Sequence, residues 1–367
     1  MKKNTDLLYK ILLTLILCIC PVIIFSQVTL DADGPGNTYE LINSVLAPGN
    51  EAVENPECIH PEFGRHIAEV WDTDLNKYVF EFYIHVTPDN DRCINFDRQR
   101  VEIKTYEPSP DNLKGTTGET VTYKWKFRLP VGFQPSGSFT HLHQIKAVGG
   151  DADMPIFTLT ARKGSTNKLE LIYNNTDKET NANLSLFEGK WVEVIETIKI
   201  DNVHGSYSIV IRDVITGDVI LSYSNSDLMT IRADNDFIRP KWGIYRSLLD
   251  SPNLRDEAVR FAGFSIQEGV LNTSIIDELK INNDFKVISN PGSKKANIEY
   301  ILTESSNVTL NICSLNGQTV QSLMNNEHQE KGKSVKQVDL SGLAAGLYLA
   351  CLNSGGSTKT ARFLVRK

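Results

Sequence analysis

The sequence predicts an all-β protein: a sandwich or jelly roll of two antiparallel sheets, followed by a smaller β-unit. Three observations carry this expectation. Between Val28 and about Gly269, short segments alternate apolar and polar residues at the strand period, with turn residues between them. Helix signals are scarce. After Gly269 the character changes, and a second run of short strands begins near Phe285. A length of 367 residues suits two or three domains, and 41% hydrophobic residues suffice for a sizeable core.

In chain order, Lys2, Lys3 and Lys10 precede an apolar run from Ile11 to Phe25, the layout of a signal peptide over residues 1–26. A membrane anchor is the competing reading, but the run is short for a span. Cys18 and Cys20 inside it lack the small residues of a lipoprotein cleavage site. Residues 27–270 form the main domain. Its start, Asp31 to Pro56, is rich in Gly and Pro and is expected to wrap the outside. The run from Thr120 to Leu129 alternates most clearly: Tyr123, Trp125 and Phe127 point one way, Lys124, Lys126 and Arg128 the other. Further strands are expected over Ile156–Arg162, Lys168–Tyr173, Trp191–Ile200, Ser206–Arg212, Val219–Tyr223 and Arg260–Ile266. Many short strands with regular turns are the pattern of a sandwich or jelly roll. Residues 271–283 read as a linker and 284–367 as the small all-β unit.

Four cysteines remain once the leader is removed: Cys58 and Cys93 in the first domain, Cys313 and Cys351 in the last. An exported chain meets an oxidising compartment, which predicts one bridge per domain, with buried thiols as the alternative. No CxxC or HExxH spacing occurs, so no metal site is read. The formal charge of -7 argues against nucleic acid as a partner. A monomer is expected.

Three segments carry the candidate chemistry: Arg100-Val-Glu-Ile-Lys104, His141-Leu-His-Gln-Ile-Lys146 and Lys241-Trp-Gly-Ile-Tyr245. Read as strands, they place Arg100, Glu102 and Lys104 on one face, likewise Gln144 and Lys146, and Lys241, Gly243 and Tyr245. Were those faces to meet on one sheet, they would line a cationic groove holding a tyrosine, suited to an anionic polymer. His141 and His143 share the other face with Ile145, as core or rim residues, with a direct role for His143 as the sharper reading. Bland readings stand beside the others. Tyr245 as an ordinary strand tyrosine, the Lys124 and Lys126 face as merely solvated, and Arg100 with Glu102 as a cross-strand pair are all compatible with the pattern. Arg162 reaches either the groove or solvent.

These segments resemble motifs of jelly-roll polysaccharide lyases. The alginate lyases of family 7 carry Arg-x-Glu-Leu, Gln-Ile-His and Lys-Ala-Gly-x-Tyr strands, matched here by Arg100-Val-Glu-Ile, Gln144-Ile-Lys146 and Lys241-Trp-Gly-Ile-Tyr245. Lys146 replaces the histidine. The longer strings, Asp97 to Tyr106 and Thr140 to Lys146, look closer to glucuronan lyases and to the ulvan lyases of family 28, which also combine a signal peptide, a jelly roll and a secretion domain. In the tail, Ser289-Asn-Pro-Gly292, Val308 to Ile312, Leu315-Asn-Gly-Gln318, Val338 to Leu343, Ala345-Gly-Leu-Tyr348 and Arg366-Lys367 resemble the sorting domain of type IX secretion substrates. That resemblance implies the type IX machinery as a partner and a secreted or cell-surface destination. An accessory immunoglobulin-like domain is the alternative, and its polar face shows no aromatic platform for sugar.

The resemblance implies β-elimination at C4 of a uronic acid. A base takes the C5 proton, made acidic by the adjacent carboxylate, and an acid protonates the O4 leaving group. Donors on the carboxylate stabilise the enolate-like intermediate. Arg100 and Gln144 fit the carboxylate, Arg100 as a bidentate fork, and Tyr245 fits the acid. Lys146, Lys126 or Tyr245 itself is the base; a lysine serves only when burial and neighbouring cations depress its pKa. Lys104, Lys126, Lys241, Arg162 and Arg246 are further binding candidates, which a sulfated polymer such as ulvan would need. Glucuronan and alginate are the alternative substrates. A structural Ca²⁺, as in glucuronan lyases, is permitted by loop carboxylates such as Asp31 and Asp33, and catalysis requires no cofactor. A glycoside hydrolase would need two carboxylates, and the usual Glu-x-Asp-x-(x)-Glu strand is absent. A non-catalytic carbohydrate-binding surface protein is the third class.

Overall fold

The computed structural model describes residues 27–269, 285–289, 294–314, 318–355 and 357–365. The expected signal peptide and linker lie outside these residues. Among the described residues no helix is long and apolar enough to cross a membrane.

The first domain is a jelly roll of two antiparallel sheets. One sheet runs in the order β13 (Val219–Leu228), β12 (Gly205–Asp213), β11 (Val192–Lys199), β6 (Thr120–Arg128), β15 (Glu257–Glu268), β4 (Lys77–Ile84), β3 (Ile67–Asp72), with β1 (Gln27–Leu30) also paired to β15. The other runs β10 (Asp177–Asn183), β9 (Lys168–Tyr173), β8 (Phe157–Arg162), β7 (Thr140–Val148), β14 (Phe237–Ser247), β5 (Arg98–Lys104), β2 (Val53–Glu54). Strand alternation decides which side chains fill the space between them. Tyr123, Trp125 and Phe127 of β6 are fully buried, and so are Val101 and Ile103 of β5 and Trp242 and Ile244 of β14. The indoles of Trp125 and Trp242 both pack against the ring of His143, at 5.2 and 5.7 Å between centroids.

The segment from Asp31 to Pro56 is not merely a wrapping loop. It forms α1 (Thr38–Leu46), which buries Tyr39, Ile42 and Leu46 in the main core. Their i, i+3, i+7 spacing is a helical stripe. The same segment then supplies β2, which lays Glu54 opposite Glu102.

The second unit consists of a three-stranded sheet, β16 (Phe285–Ser289), β17 (Lys295–Leu302) and β20 (Gly332–Asp339), and a four-stranded one. The latter runs β19 (Thr319–Gln329), β18 (Ser306–Cys313), β21 (Gly346–Ser354), β22 (Ser357–Val365). Ile298, Tyr300, Val308, Leu310, Ile312 and Leu352 lie in its core. Cys58 and Cys93 form a disulfide. Cys313 and Cys351 do not; they are thiols in contact on adjacent strands, and burial together with Cys313 pushes the Cys351 thiol up to about 12.

Candidate active site on the outer face of the second sheet

Strand pairing brings the three segments together. β14 lies between β5 and β7, with Lys241 opposite both Lys104 and Gln144, and Tyr245 opposite both Arg100 and His141. Arg100, Glu102, Lys104, Gln144, Lys146, Lys241 and Tyr245 thus share the outer face, as alternation requires. Gly243 sits between Lys241 and Tyr245 with φ +145°, and a Cβ there would lie 2.1 Å from the Val101 carbonyl oxygen. Only glycine lets β14 approach β5 this closely.

A bulge changes the content of that face. Leu142 has no partner of its own on β8, and the register to β14 shifts at the same point. An extra residue reverses the alternation on one side of it. His143 therefore turns inward while His141 turns out beside Tyr245, with 5.8 Å between ring centroids. His143 is not a substrate ligand: it is 1% exposed, its Nε2 lies 2.5 Å from Glu196 Oε1, and its Nδ1 lies 2.9 Å from the Lys241 carbonyl. The Glu196 carboxylate also accepts a hydrogen bond from Tyr207 at 2.9 Å. Because a carbonyl only accepts, His143 Nδ1 carries a proton and its Nε2 is turned to the carboxylate.

His141 stacks on Phe139 at 4.8 Å and 18°. Burial, with Arg162, Arg100 and Lys146 adding to it, pulls its pKa down to about 3, and its Nδ1 has no hydrogen-bond partner. It is a neutral imidazole at any ordinary pH. Tyr245 accepts a hydrogen bond from Arg98 Nη1 at 3.1 Å, and the Arg100 guanidinium lies 3.8 Å over its ring. Arg98 shares the two-residue period of Arg100, Glu102 and Lys104, and so stands on the same face.

Next to this row lies a charge network. Glu54 receives Lys241, Lys104 (2.8 Å), Arg100 (3.0 Å) and Arg92 (2.7 Å). Glu102 receives Lys241 at 3.0 Å, Arg100 at 3.3 Å and the Gln144 amide at 2.5 Å. Burial pushes both carboxyls up, but the cations around them win and hold both well below the usual carboxylate range. Lys241 is pulled down to about 8 by its burial, against the pull of Glu102 and Glu54. Arg100 also meets Asp91 at 3.0 Å. Arg100, Gln144, Lys104 and Lys241 are thus already paired with protein carboxylates.

Three other expectations are corrected. Lys126 is on β6, in the opposite sheet, and points outward from it to Glu193 at 3.0 Å. Arg246 is fully buried, donates from Nε to Gln99 and from Nη1 to the Arg255 carbonyl, and is pulled down to about 10 by burial. Lys146 is on the correct face but stands opposite Arg239. That is three outward positions from Tyr245, roughly 20 Å of strand. Its ammonium donates to the Asp153 carbonyl at 3.0 Å. Burial and the Arg239 charge lower its pKa. Arg239, unnoticed in the sequence, has Nε and Nη1 buried without hydrogen-bond partners. Arg162 reaches the rim, 3.2 Å from Glu170. Asp31 pairs with Lys77 at 2.5 Å, and the Asp33 amide donates to Glu69 at 2.7 Å; among the described residues neither carboxylate joins a group of potential metal ligands.

Residues 78–269 match the polysaccharide lyase family profile. The chain belongs to this polysaccharide lyase family. Residues 286–366 of the lyase match the secretion system C-terminal sorting domain, which marks it for secretion or the cell surface. No curated protein gives a significant match. Among solved structures, the lyase is similar to alginate lyase A1-II′ of polysaccharide lyase family 7. The identity is 14% and the TM-score 0.41, with 60% of this chain and 94% of that one covered. It is similar to alginate lyase PA1167 from Pseudomonas aeruginosa at 13% identity and TM-score 0.36, covering 54% and 84%. A glycoside hydrolase family 131 domain from Coprinopsis cinerea gives 15% identity and TM-score 0.34, covering 53% and 71%. These likenesses say nothing about substrate.

Proposed function

We propose that this lyase is a secreted monomer that cleaves an anionic, uronate-containing polysaccharide by β-elimination, with ulvan as the first candidate substrate. The observation that carries the reading is the row His141–Tyr245–Arg98. A neutral imidazole and a phenol stand side by side on an open face, with a guanidinium on the phenol oxygen. His141 accepts the C5 proton, the C5–H electron pair forms the C4=C5 double bond, the C4–O4 bond breaks, and Tyr245 protonates O4. Arg98 then holds the charge left on the phenol oxygen. This replaces the expected lysine base by His141.

Hydrolysis is disfavoured because a glycosidase needs one carboxyl kept protonated as its acid. Both carboxyls next to the row, Glu54 and Glu102, are held ionised by cations.

Ulvan is preferred to glucuronan and alginate because of Arg239 and Lys146. Two cations face each other away from the elimination row, and the guanidinium has buried nitrogens to spare. An anion on a neighbouring sugar, sulfate first, would satisfy them. The test is initial rate and product analysis on ulvan, glucuronan and alginate, following the ultraviolet absorbance of the new double bond. Unsaturated products from ulvan are expected, with Tyr245→Phe lowering kcat by about 10²–10⁴-fold. Absence of unsaturated product on all three polymers would refute the lyase mechanism; equal rates on glucuronan would refute the sulfate preference.

A further inference from the structure

Away from that row, three histidines and an aspartate from separate segments converge. His60 lies in the loop after β2, His66 immediately before β3, His85 immediately after β4, and Asp89 four residues further on. One ring nitrogen from each histidine and a carboxylate oxygen all fall within 4.8 Å of one another. His60 Nδ1 is 2.7 Å and His66 Nε2 3.2 Å from Asp89 Oδ1, and His85 Nδ1 is 3.1 Å from Oδ2. His66 and Asp89 are 0% and 2% exposed.

His66 Nδ1 lies 3.1 Å from the Gly64 carbonyl, which only accepts, so Nδ1 carries the proton. Its Nε2 is thereby turned to the Asp89 carboxylate, where a metal ion or a second proton can sit. A hydrogen bond from the other ring nitrogen to a carbonyl is also how metal-binding histidines are held in the ligating tautomer.

We propose that His60, His66, His85 and Asp89 form a structural binding site for a divalent transition metal, Zn²⁺ first. Three imidazole nitrogens and one carboxylate oxygen are a donor set zinc accepts, whereas Ca²⁺ takes oxygen ligands. Bonds of about 2.0–2.2 Å in a tetrahedron put ligand atoms roughly 3.3–3.6 Å apart. The observed contacts of 2.7–3.2 Å and the 4.8 Å limit bracket that spacing. The surroundings are built to support it. The Gln99 amide donates to the carbonyls of His85, Val86 and Asp89. The ring of Phe63 packs on all three imidazoles at 5.4, 4.8 and 4.3 Å. The Cys58–Cys93 bridge fixes the chain just before His60. With four protein ligands the site is closed, so its role is to pin loops. The turn it pins continues to Asp91, which pairs with Arg100 over the Tyr245 ring.

The test strips the purified full chain with a chelator, reloads it with Zn²⁺, desalts it and measures bound metal by mass spectrometry. About one zinc per chain is expected, with a higher Tm for the loaded form. Visible absorption bands of a four-coordinate Co²⁺ complex are expected when Co²⁺ replaces zinc. His60→Ala, at one of the two partly exposed ligands, should lower retained zinc at least tenfold. Should that variant unfold, Co²⁺ titration of the wild-type chain still decides the matter. Wild-type protein that retains less than about 0.1 zinc per chain and gives no Co²⁺ bands would overturn the proposal. It would leave a cluster held by a shared proton.

Discussion

Replacing His141 with alanine separates two accounts of proton abstraction. The imidazole is opposite Tyr245 in the β7–β14 register, whereas Lys146 is three outward positions away along β14. A positioned base contributes about 10²–10⁴-fold, so His141→Ala should lower kcat by that factor, equivalent to about 2.7–5.5 kcal/mol of barrier. Lys146→Ala should instead raise KM several-fold and leave kcat within about threefold, because it removes an anion contact without touching the reacting atoms. The pH profile gives an independent reading. With its pKa pulled down to about 3 by burial, His141 is already in the base form at pH 5, so kcat/KM has no acid limb near neutrality from this group. A lysine base would show activity rising with pH through a depressed ammonium pKa. The assay is double-bond absorbance on ulvan from pH 4 to 10, with thermal unfolding of each variant as a check on folding. A His141→Ala enzyme that keeps a third or more of wild-type kcat, or a Lys146→Ala enzyme that loses a hundredfold, would refute the assignment.

Lys126→Ala should leave kcat and KM within about twofold, since that ammonium faces Glu193 on the outside of the other sheet; Michaelis kinetics decide it. Glu54→Gln strips the shared counter-charge from Lys241, Lys104, Arg100 and Arg92 and leaves the buried Lys241 ammonium half-compensated. It should cost about 3–5 kcal/mol, read as a lower urea midpoint. The wild-type domain should lose stability on acidification partly through His141. Its folded pKa of about 3 lies below the ordinary 6.5, so the unfolded chain binds the proton first and stability falls as pH drops between those values. His141→Gln should flatten that part of the urea midpoint–pH curve.

Much of the fold and part of the site were legible from period alone. The faces of Arg100, Glu102 and Lys104 and of Lys241 and Tyr245 follow from strand alternation, and β14 does seat them beside Gln144. Alternation also dictates that Arg246, directly after Tyr245, faces the core; grouping it with the site ignored that rule. Lys126 was correctly turned away from the aromatic core, but outward from the core has two meanings in a two-sheet protein, and one strand cannot say which sheet it joins. The helix at Thr38–Leu46 was hidden by the glycines and prolines around it. Glu54, Asp91 and the three clustered histidines come from loops and edges whose convergence is a long-range property. The histidine at the centre of the site was misplaced for a different reason: a bulge leaves no mark in residue type.

The unpaired residue at Leu142 makes register, rather than identity, the decisive variable in this strand. Were the chain to run through Leu142 in regular pairing, with no bulge, His141 would fall into the inward slot and Thr140 would come out beside Tyr245, so the site would be disarmed while every reacting side chain remained encoded. The same arithmetic bears on comparison between chains. Two sequences aligned residue for residue across this strand present the same groups to a substrate only if they share the bulge. A histidine or lysine matched by column can stand on opposite sides of the sheet in the two proteins.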